Sequence, residues 1–316
     1  MTRRLLPAAA LLVLTITTVP AAGAATKPGA STGGASNVVQ QSARVSGTID
    51  PNGAPTTYVF QYGPTTAYGA TTPELTQTGD GNRAVSVDLG GLTPATKYHY
   101  RLVARNAAGQ TTGADRTFTT LKVPLGLTLT ADPNPVRYGA ATVIRGQVTG
   151  TDNAGVTVAL QGRPFPFTLA FGQIGNAVVA AAQGGFAFTL GQMTTTTQYR
   201  VVRPGRNLTS PIVTVSVQPR LSTAVSTYRV RRGGRVTFSG TLTPALPGTP
   251  MALQRRSSKG TWILVTGMAS RSLSSAQSRY RVRTRIRSTG TYRIYAGVQN
   301  GTFVPVSGRE VKIRVR

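Results

Sequence analysis

Cysteine is absent from this 316-residue sequence, histidine occurs once, and Asp and Glu together number only 8. Without cysteine, neither a disulfide nor a cysteine-based zinc site can form. The single histidine, His99, is predicted to be an exposed strand residue, and the acids are widely spread, with Glu74, Asp80 and Asp88 the nearest approach to a cluster. Because general acid–base chemistry needs titratable groups brought together, we predict no enzyme activity and no catalytic, cofactor or metal site.

The sequence also lacks amphipathic helical stripes and, after its N-terminus, long apolar runs. Charged residues are only 14% of the chain, whereas Gly (36) and Pro (20) are frequent. Between these turn-forming residues lie short runs, rich in Thr and Val, in which apolar and polar positions alternate. We therefore predict an all-β fold of tandem Greek-key β-sandwiches, with no transmembrane helix in the mature chain.

The N-terminus has the pattern of an export signal. A basic start at Arg3 and Arg4 precedes an apolar run over Leu5–Val19, and small residues follow at Ala22–Ala24. This predicts a signal peptide over residues 1–24, with the general and twin-arginine export routes both open. A membrane anchor is the alternative, but the apolar run is shorter than the ~20 residues that span a bilayer. The small-residue composition of residues 25–36 predicts a flexible linker.

Residues 37–122 are predicted to form the first module. Its strongest signal is a tyrosine corner, the turn in which a Tyr hydroxyl bonds to nearby backbone, here with the spacing Leu92, Pro94, Thr96 and Tyr98. Together with the Tyr58–Gly63 strand and the closing Thr117–Thr120, in this order, the corner resembles a bacterial fibronectin type III-like domain. The resemblance implies a β-sandwich; the sequence departs from animal members in lacking their strand-B Trp.

The remaining residues contain an internal repeat. Five short segments recur at separations of 94, 94, 93, 94 and 93 residues, among them Val136–Gly139 as Val230–Gly233 and Tyr199–Val201 as Tyr292–Ile294. Each copy has about seven short runs between Gly and Pro turns, and each resembles a bacterial immunoglobulin-like sandwich. We predict two such modules, over residues 123–218 and 219–316.

Positive charge is concentrated in the third predicted module. Residues 219–316 hold 19 basic residues and 1 acid, against 8 and 5 in residues 25–122 and 6 and 2 in residues 123–218. Alternation with apolar residues predicts that five arginines share the outer face of one strand: Arg279, Arg281, Arg283, Arg285 and Arg287. The last strand repeats the pattern with Lys312, Arg314 and Arg316. Two interpretations stay open: a solvated face in an Arg-rich protein, or a binding surface for a polyanion.

The sequence leaves three hypotheses for the function. The first is an exported, non-enzymatic structural or binding protein, secreted and held non-covalently at an anionic polymer or membrane surface of the bacterial cell envelope by the third module. Nucleic acid is a weaker candidate partner because Tyr280 and Tyr292 are predicted to point inward. The second is a carbohydrate-binding accessory protein, which needs aromatics exposed on one face. The candidates are Trp262, Tyr58 and Tyr62, although a core position is favoured for Trp262. The third, an enzyme, would need acids clustered around His99.

Overall fold

The computed structural model describes residues 25–298 and 300–316, and every regular element within them is a β-strand. The predicted all-β fold is confirmed, whereas the predicted signal peptide at 1–24 lies outside the described residues. In that described part of the chain, no helix has the length and apolarity to cross a membrane. The chain divides into two compact units, one ending at Val123 and the other comprising Pro124–Arg316.

The first unit is a sandwich of two antiparallel sheets. Its strands are β1 (Gly29–Ser36), β2 (Ala43–Asp50), β3 (Thr56–Gly63), β4 (Ala70–Thr71), β5 (Leu75–Gln77), β6 (Arg83–Leu89), β7 (Lys97–Asn106), β8 (Gly109–Thr112) and β9 (Arg116–Thr119). One sheet has the order β1-β2-β6, and the other is built around β3 and β7, with β4 and β5 pairing β3 and β8 and β9 pairing β7. Alternate residues such as Val45, Phe60 and Leu102 fill the space between them.

The predicted linker is wrong for residues 29–36, which form the edge strand β1. Ser31 pairs with Thr48 of β2, the buried Thr32 hydroxyl accepts the Leu102 N–H at 3.1 Å, and Tyr100 donates to the Gly33 carbonyl at 2.8 Å. The small-residue composition of this segment was misleading, because small side chains allow two strands to approach closely as well as allowing a chain to be flexible. A Cβ at Gly33 would lie 2.6 Å from the Ser46 Oγ and 3.0 Å from the Ser46 carbonyl, so a larger residue here would require Ser46 to shift.

The tyrosine corner has the geometry that its spacing predicts. The Thr93 N–H donates to the Tyr98 hydroxyl at 2.9 Å, and the Thr96 hydroxyl donates to the Pro94 carbonyl at 2.9 Å. Leu92 is buried in the core beneath the corner. These bonds hold the turn that leads into β7, the longest strand of this unit.

The second unit begins with the residues of the second predicted module. Its strands there are β10 (Gly126–Leu127), β11 (Thr130–Asp132), β12 (Val136–Arg137), β13 (Thr142–Thr149), β14 (Thr157–Pro164), β15 (Gly172–Gln173), β16 (Val178–Val179), β17 (Gly185–Leu190), β18 (Thr197–Val202), β19 (Val213–Val215) and β20 (Val217–Gln218). β13 pairs with β17 in one sheet and β14 with β18 in the other. Ile144, Leu160 and Val201 lie in the core between them.

The third predicted module repeats this arrangement. Its strands are β21 (Arg220–Leu221), β22 (Ala224–Val225), β23 (Arg229–Val230), β24 (Gly234–Thr243), β25 (Pro250–Arg256), β26 (Trp262–Ala269), β27 (Arg271–Ser272), β28 (Ser278–Ile286), β29 (Gly290–Ala296), β30 (Val306–Ser307) and β31 (Val311–Val315). β24 pairs with β28 in a first sheet that ends at β27; the second sheet has the order β23-β31-β29-β25-β26. Phe238, Leu253 and Ile294 lie between the sheets.

The two modules of the second unit share part of a core. Val298 and Phe303, which follow β29, are buried in the hydrophobic cluster of the preceding module. Phe303 meets Tyr138 with ring centroids 6.0 Å apart, and the Thr196 N–H donates to the Thr302 carbonyl at 3.0 Å. The boundary predicted near Pro219 therefore lies inside one compact unit.

Candidate functional site: the arginine face of the third module

The side chains of strand β28 alternate between the solvent-exposed face of the sheet and the core. Arg279, Arg281, Arg283 and Arg285 are exposed, whereas the intervening Tyr280 is buried against the core. Successive side chains of a strand point to opposite faces, so the four arginines extend from the outer face of the sheet about 6.6 Å apart. Arg287, also exposed, follows the end of the strand.

Neighbouring strands add more arginines to the same face. Arg285 lies opposite Arg235 of β24, and Arg279 lies opposite Arg271 of β27. The residues of β24 opposite Arg281 and Arg283 are Ser239 and Thr237. We call this surface the arginine face: Arg235, Arg271, Arg279, Arg281, Arg283 and Arg285. Like charges directly opposite one another in a sheet are destabilising, so the face carries uncompensated repulsion.

No carboxylate relieves this repulsion among the described residues. The only acid of the third module, Glu310, lies 3.7 Å from Arg256 of β25, which belongs to the other sheet. Two ion pairs of the first unit join Arg44 to Asp88 and His99 to Asp115. The arginine face is thus a concentrated cationic surface open to solvent.

The structure does not bring the second group of predicted cations to this face. Lys312 and Arg314 lie on β31, in the second sheet, where Arg314 pairs with Arg229; Arg316 follows that strand. The outer faces of the two sheets of a sandwich point away from each other. The two groups of cations therefore lie on different outer faces. Period-two alternation does not reveal this, because it assigns a residue to an outer face but not to a particular sheet.

A cluster that was not predicted from the sequence occurs in all three modules. In each, an outward Arg Nε donates to the Oε1 of the Gln directly opposite on the neighbouring strand at 2.8 Å. An aromatic ring covers the guanidinium at 4.4, 4.3 and 4.1 Å from Cζ to ring centroid. The three Arg–Gln–aromatic clusters are Arg101/Gln61/Tyr68, Arg200/Gln161/Phe171 and Arg293/Gln254/Trp262.

A sequence signal for these clusters exists. Each arginine directly follows a buried tyrosine, at Tyr100, Tyr199 and Tyr292. Each glutamine directly follows a buried apolar residue, at Phe60, Leu160 and Leu253. The aromatic partner has no such signal, because it comes from a following strand or loop at a variable distance along the chain. These arginines are held by their neighbours and differ in that respect from the unpaired arginine face.

The expected core position of Trp262 is wrong. Trp262 is half-buried on the outer face of the second sheet, where Arg293 covers its ring. Tyr58 is buried and Tyr62 is half-buried. No wide, exposed aromatic platform is formed by these three residues, and such a platform is what sugar stacking requires.

His99 is not isolated, but it meets a single acid. Its Nδ1 lies 2.8 Å from Asp115, whose carboxylate also accepts a hydrogen bond from Tyr68 at 3.0 Å. Burial disfavours the charged carboxylate, yet the bonds from His99 and Tyr68 hold the pKa of Asp115 below its ordinary value. Within the residues described, no three His, Asp or Glu side chains are grouped so as to hold a metal ion.

Comparison with known proteins gives structural similarity only. No protein-family model and no curated protein matches the chain. The sensor domain of the anti-sigma factor RsgI4 of Pseudobacteroides cellulosolvens is 20% identical over 30% of this chain and 89% of that one, with a TM-score of 0.24. The FN1–FN3 domains of chicken CNTN1 are 12% identical over 92% of this chain and 100% of that one, with a TM-score of 0.30. Domains A168–A170 from titin are 13% identical over 92% of this chain and 100% of that one, with a TM-score of 0.36.

Proposed function

We propose that the chain is an exported, non-enzymatic binding protein with one fibronectin type III-like and two immunoglobulin-like modules. It is secreted and held non-covalently at an anionic surface of the bacterial cell envelope. The arginine face of the third module makes the contact. The observation that carries this proposal is the pairing of Arg235 with Arg285 and of Arg271 with Arg279, with no acid among the described residues beside them.

Leaving the arginine face unpaired is electrostatically unfavourable. Adjacent guanidinium groups about 6.6 Å apart lie within the Debye length of about 8 Å at physiological salt, so they repel one another. A polyanion removes this repulsion and releases its own counterions on binding. Arginine is well suited to phosphate groups because its planar fork donates two parallel hydrogen bonds.

The chemistry of the face favours a polyanion over the alternatives. Binding of single-stranded nucleic acid uses exposed aromatic rings. The one aromatic residue between the arginines of β28 is Tyr280, which is buried, and the side chains opposite Arg281 and Arg283 are the hydroxyls of Ser239 and Thr237. The carbohydrate-binding alternative is disfavoured because Trp262 is half-buried with Arg293 over its ring and Tyr58 is buried.

The test measures binding of the chain to inorganic polyphosphate as a function of salt. We expect the affinity to fall steeply with salt, because counterion release drives the association. Changing Arg279, Arg281 and Arg283 together to Ser should weaken binding and reduce the slope of log K against log salt by about 3. These side chains are exposed, so the variant should fold normally.

The matched control changes Lys312, Arg314 and Arg316 to Ser. It removes the same amount of positive charge from the second sheet and the chain end. We expect it to retain most of the affinity and slope. Equal losses in the two variants would contradict a specific face, as would an affinity that does not depend on salt.

A further inference from the structure

An apolar strip lies exposed on the edge strand β26. Ile263, Leu264 and Val265 are 55%, 63% and 37% exposed, and β26 is the last strand of the second sheet. Exposed edge strands normally carry charges or breaks that prevent association, so three consecutive exposed aliphatic residues at an edge need a partner.

Arginines surround this strip. A cavity of about 290 Å³ opens beside it, between the end of β28 and the β25–β26 hairpin, and all three aliphatic side chains line it. Four arginines line the same cavity: Arg255, Arg256, Arg285 and Arg287. The site therefore joins an apolar strip to a ring of guanidinium groups, an arrangement that is complementary to a molecule with an acyl chain and an anionic head.

Arg255 adds a polar group without a partner. One of its Nη atoms donates to the Thr289 carbonyl at 3.2 Å, but its Nε is buried and has no hydrogen-bond partner among the described residues. A buried donor without a partner is unfavourable.

We propose that this edge docks on the surface of a bilayer that contains anionic phospholipid. Ile263, Leu264 and Val265 enter the boundary between headgroups and acyl chains, and the surrounding arginines bind lipid phosphates. Trp262, at the start of the same strand, is then at the depth where an amphipathic indole is stable. The inference rests on the proposed function in that it names the envelope surface as lipid.

A second copy of the chain is disfavoured as the occupant. Dimerisation through this edge would bring together two modules that each carry 19 basic residues and 1 acid, with their arginine rings in contact. Strand addition by a peptide is disfavoured as well. The pairing of β26 with β25 shifts register between Leu253 and Gln254, and such a bulge disrupts the regular row of edge hydrogen bonds that strand addition requires.

The sole tryptophan reports directly on docking. The probes are vesicles of phosphatidylcholine alone or mixed with phosphatidylglycerol, each with and without bromine-labelled acyl chains that quench indole fluorescence. We expect the full chain to bind only the mixed vesicles, with quenching of Trp262 by the labelled chains. Binding without quenching would overturn the proposal, because the edge would then not reach the acyl chains.

Substitution separates insertion from simple charge attraction. Leu264→Ser should lower the partition coefficient for mixed vesicles about tenfold, since a large apolar side chain no longer enters the bilayer. Leu169→Ser is the matched control, because Leu169 is 65% exposed in the second predicted module. It should leave partitioning within about twofold. Equal effects of the two variants, or self-association of the chain that Leu264→Ser abolishes, would overturn the proposal.

Failure of the lipid site can be distinguished from failure of the proposed function. Salt-dependent polyphosphate binding that needs Arg279, Arg281 and Arg283, combined with unquenched Trp262 on mixed vesicles, would overturn only the lipid site. Binding to neither polyphosphate nor vesicles would overturn both. Polyphosphate binding that survives Leu264→Ser, together with reduced vesicle partitioning of that variant, supports both.

Discussion

At the residue scale, Tyr280 shows how a buried polar group holds the third module. Its hydroxyl donates to the Ser222 carbonyl at 2.6 Å and lies 2.9 Å from the Thr223 hydroxyl, so it ties β28 to the segment that follows β21. Burial raises the pKa of Tyr280 to about 12 from an ordinary value of 10.0. The neutral phenol is the stable form in this site because the phenolate would lose its hydration.

This pKa predicts a loss of stability in alkali. A folded-state pKa above the unfolded one contributes stability that is complete below pH 10 and is lost as the pH rises through about 12. The stability lost across this pH range is about 2–3 kcal/mol. We expect Tyr280→Phe to be less stable than the native chain at neutral pH by about 1 kcal/mol, yet to lose less stability between pH 10 and 12.

Denaturant unfolding at several pH values, followed by Trp262 fluorescence, checks this prediction. Burial also raises the pKa of Tyr292, which stays in both proteins, so the difference between them isolates Tyr280. Identical pH profiles for the two proteins would contradict the assigned role of Tyr280.

At the element scale, the Arg–Gln–aromatic clusters join the two central strands of one sheet in every module. Gln61 lies opposite Arg101, Gln161 opposite Arg200, and Gln254 opposite Arg293. Cross-strand pairs are the unit of sheet stabilisation, and an aromatic ring over the guanidinium adds a cation–π contact. The recurrence of one arrangement in three modules indicates a common device that fixes these strand pairs.

A double-mutant cycle on Gln254→Ala and Arg293→Ala measures this device. We expect a coupling energy of about 1 kcal/mol, because the charge-assisted hydrogen bond is lost in either single variant. Equilibrium unfolding of the four proteins gives the value. A pair that is not in contact, such as Arg293 with Thr237 in the other sheet, is the control and should show additive effects; equal coupling in both cycles would contradict the interpretation.

At the scale of the whole molecule, the shared core of the second unit has a thermodynamic consequence. Because Phe303 is buried in the core that also contains Ile144, the two modules cannot lose their packing independently. Coupled cores unfold as a single cooperative transition, whereas modules joined only by a flexible segment unfold separately.

The coupling can be measured at Trp262, which lies in the third module. Ile144→Ala, a change in the second module, should cost about 2–5 kcal/mol and shift the unfolding midpoint reported by Trp262 fluorescence. In a Phe303→Ala background the same change should shift the Trp262 midpoint much less, because the shared contact is gone. A Trp262 midpoint that does not move with Ile144→Ala would show that the modules are independent.

Much of the fold could be predicted from sequence patterns that extend over only a few residues. Alternation placed Arg279–Arg285 outside and Tyr280 inside, and the spacing of Leu92, Pro94, Thr96 and Tyr98 predicted the tyrosine corner, because these features depend on residues a few positions apart. The same approach failed for residues 29–36, where small residues suggested a linker, and for Trp262, whose Arg293 partner is on a distant strand.

The sequence by itself determined the all-β class, the 93–94-residue repeat and the outward direction of the β28 arginines, since alternation and turn residues act over short distances. Tertiary structure decided which strands are neighbours. It separated Lys312 and Arg314 from the arginine face, placed Arg235 and Arg271 on that face, and brought Arg255 beside Leu264. The physical reason is that strand pairing is a long-range choice, set by the packing of whole sheets, and period-two alternation within one strand carries no information about it.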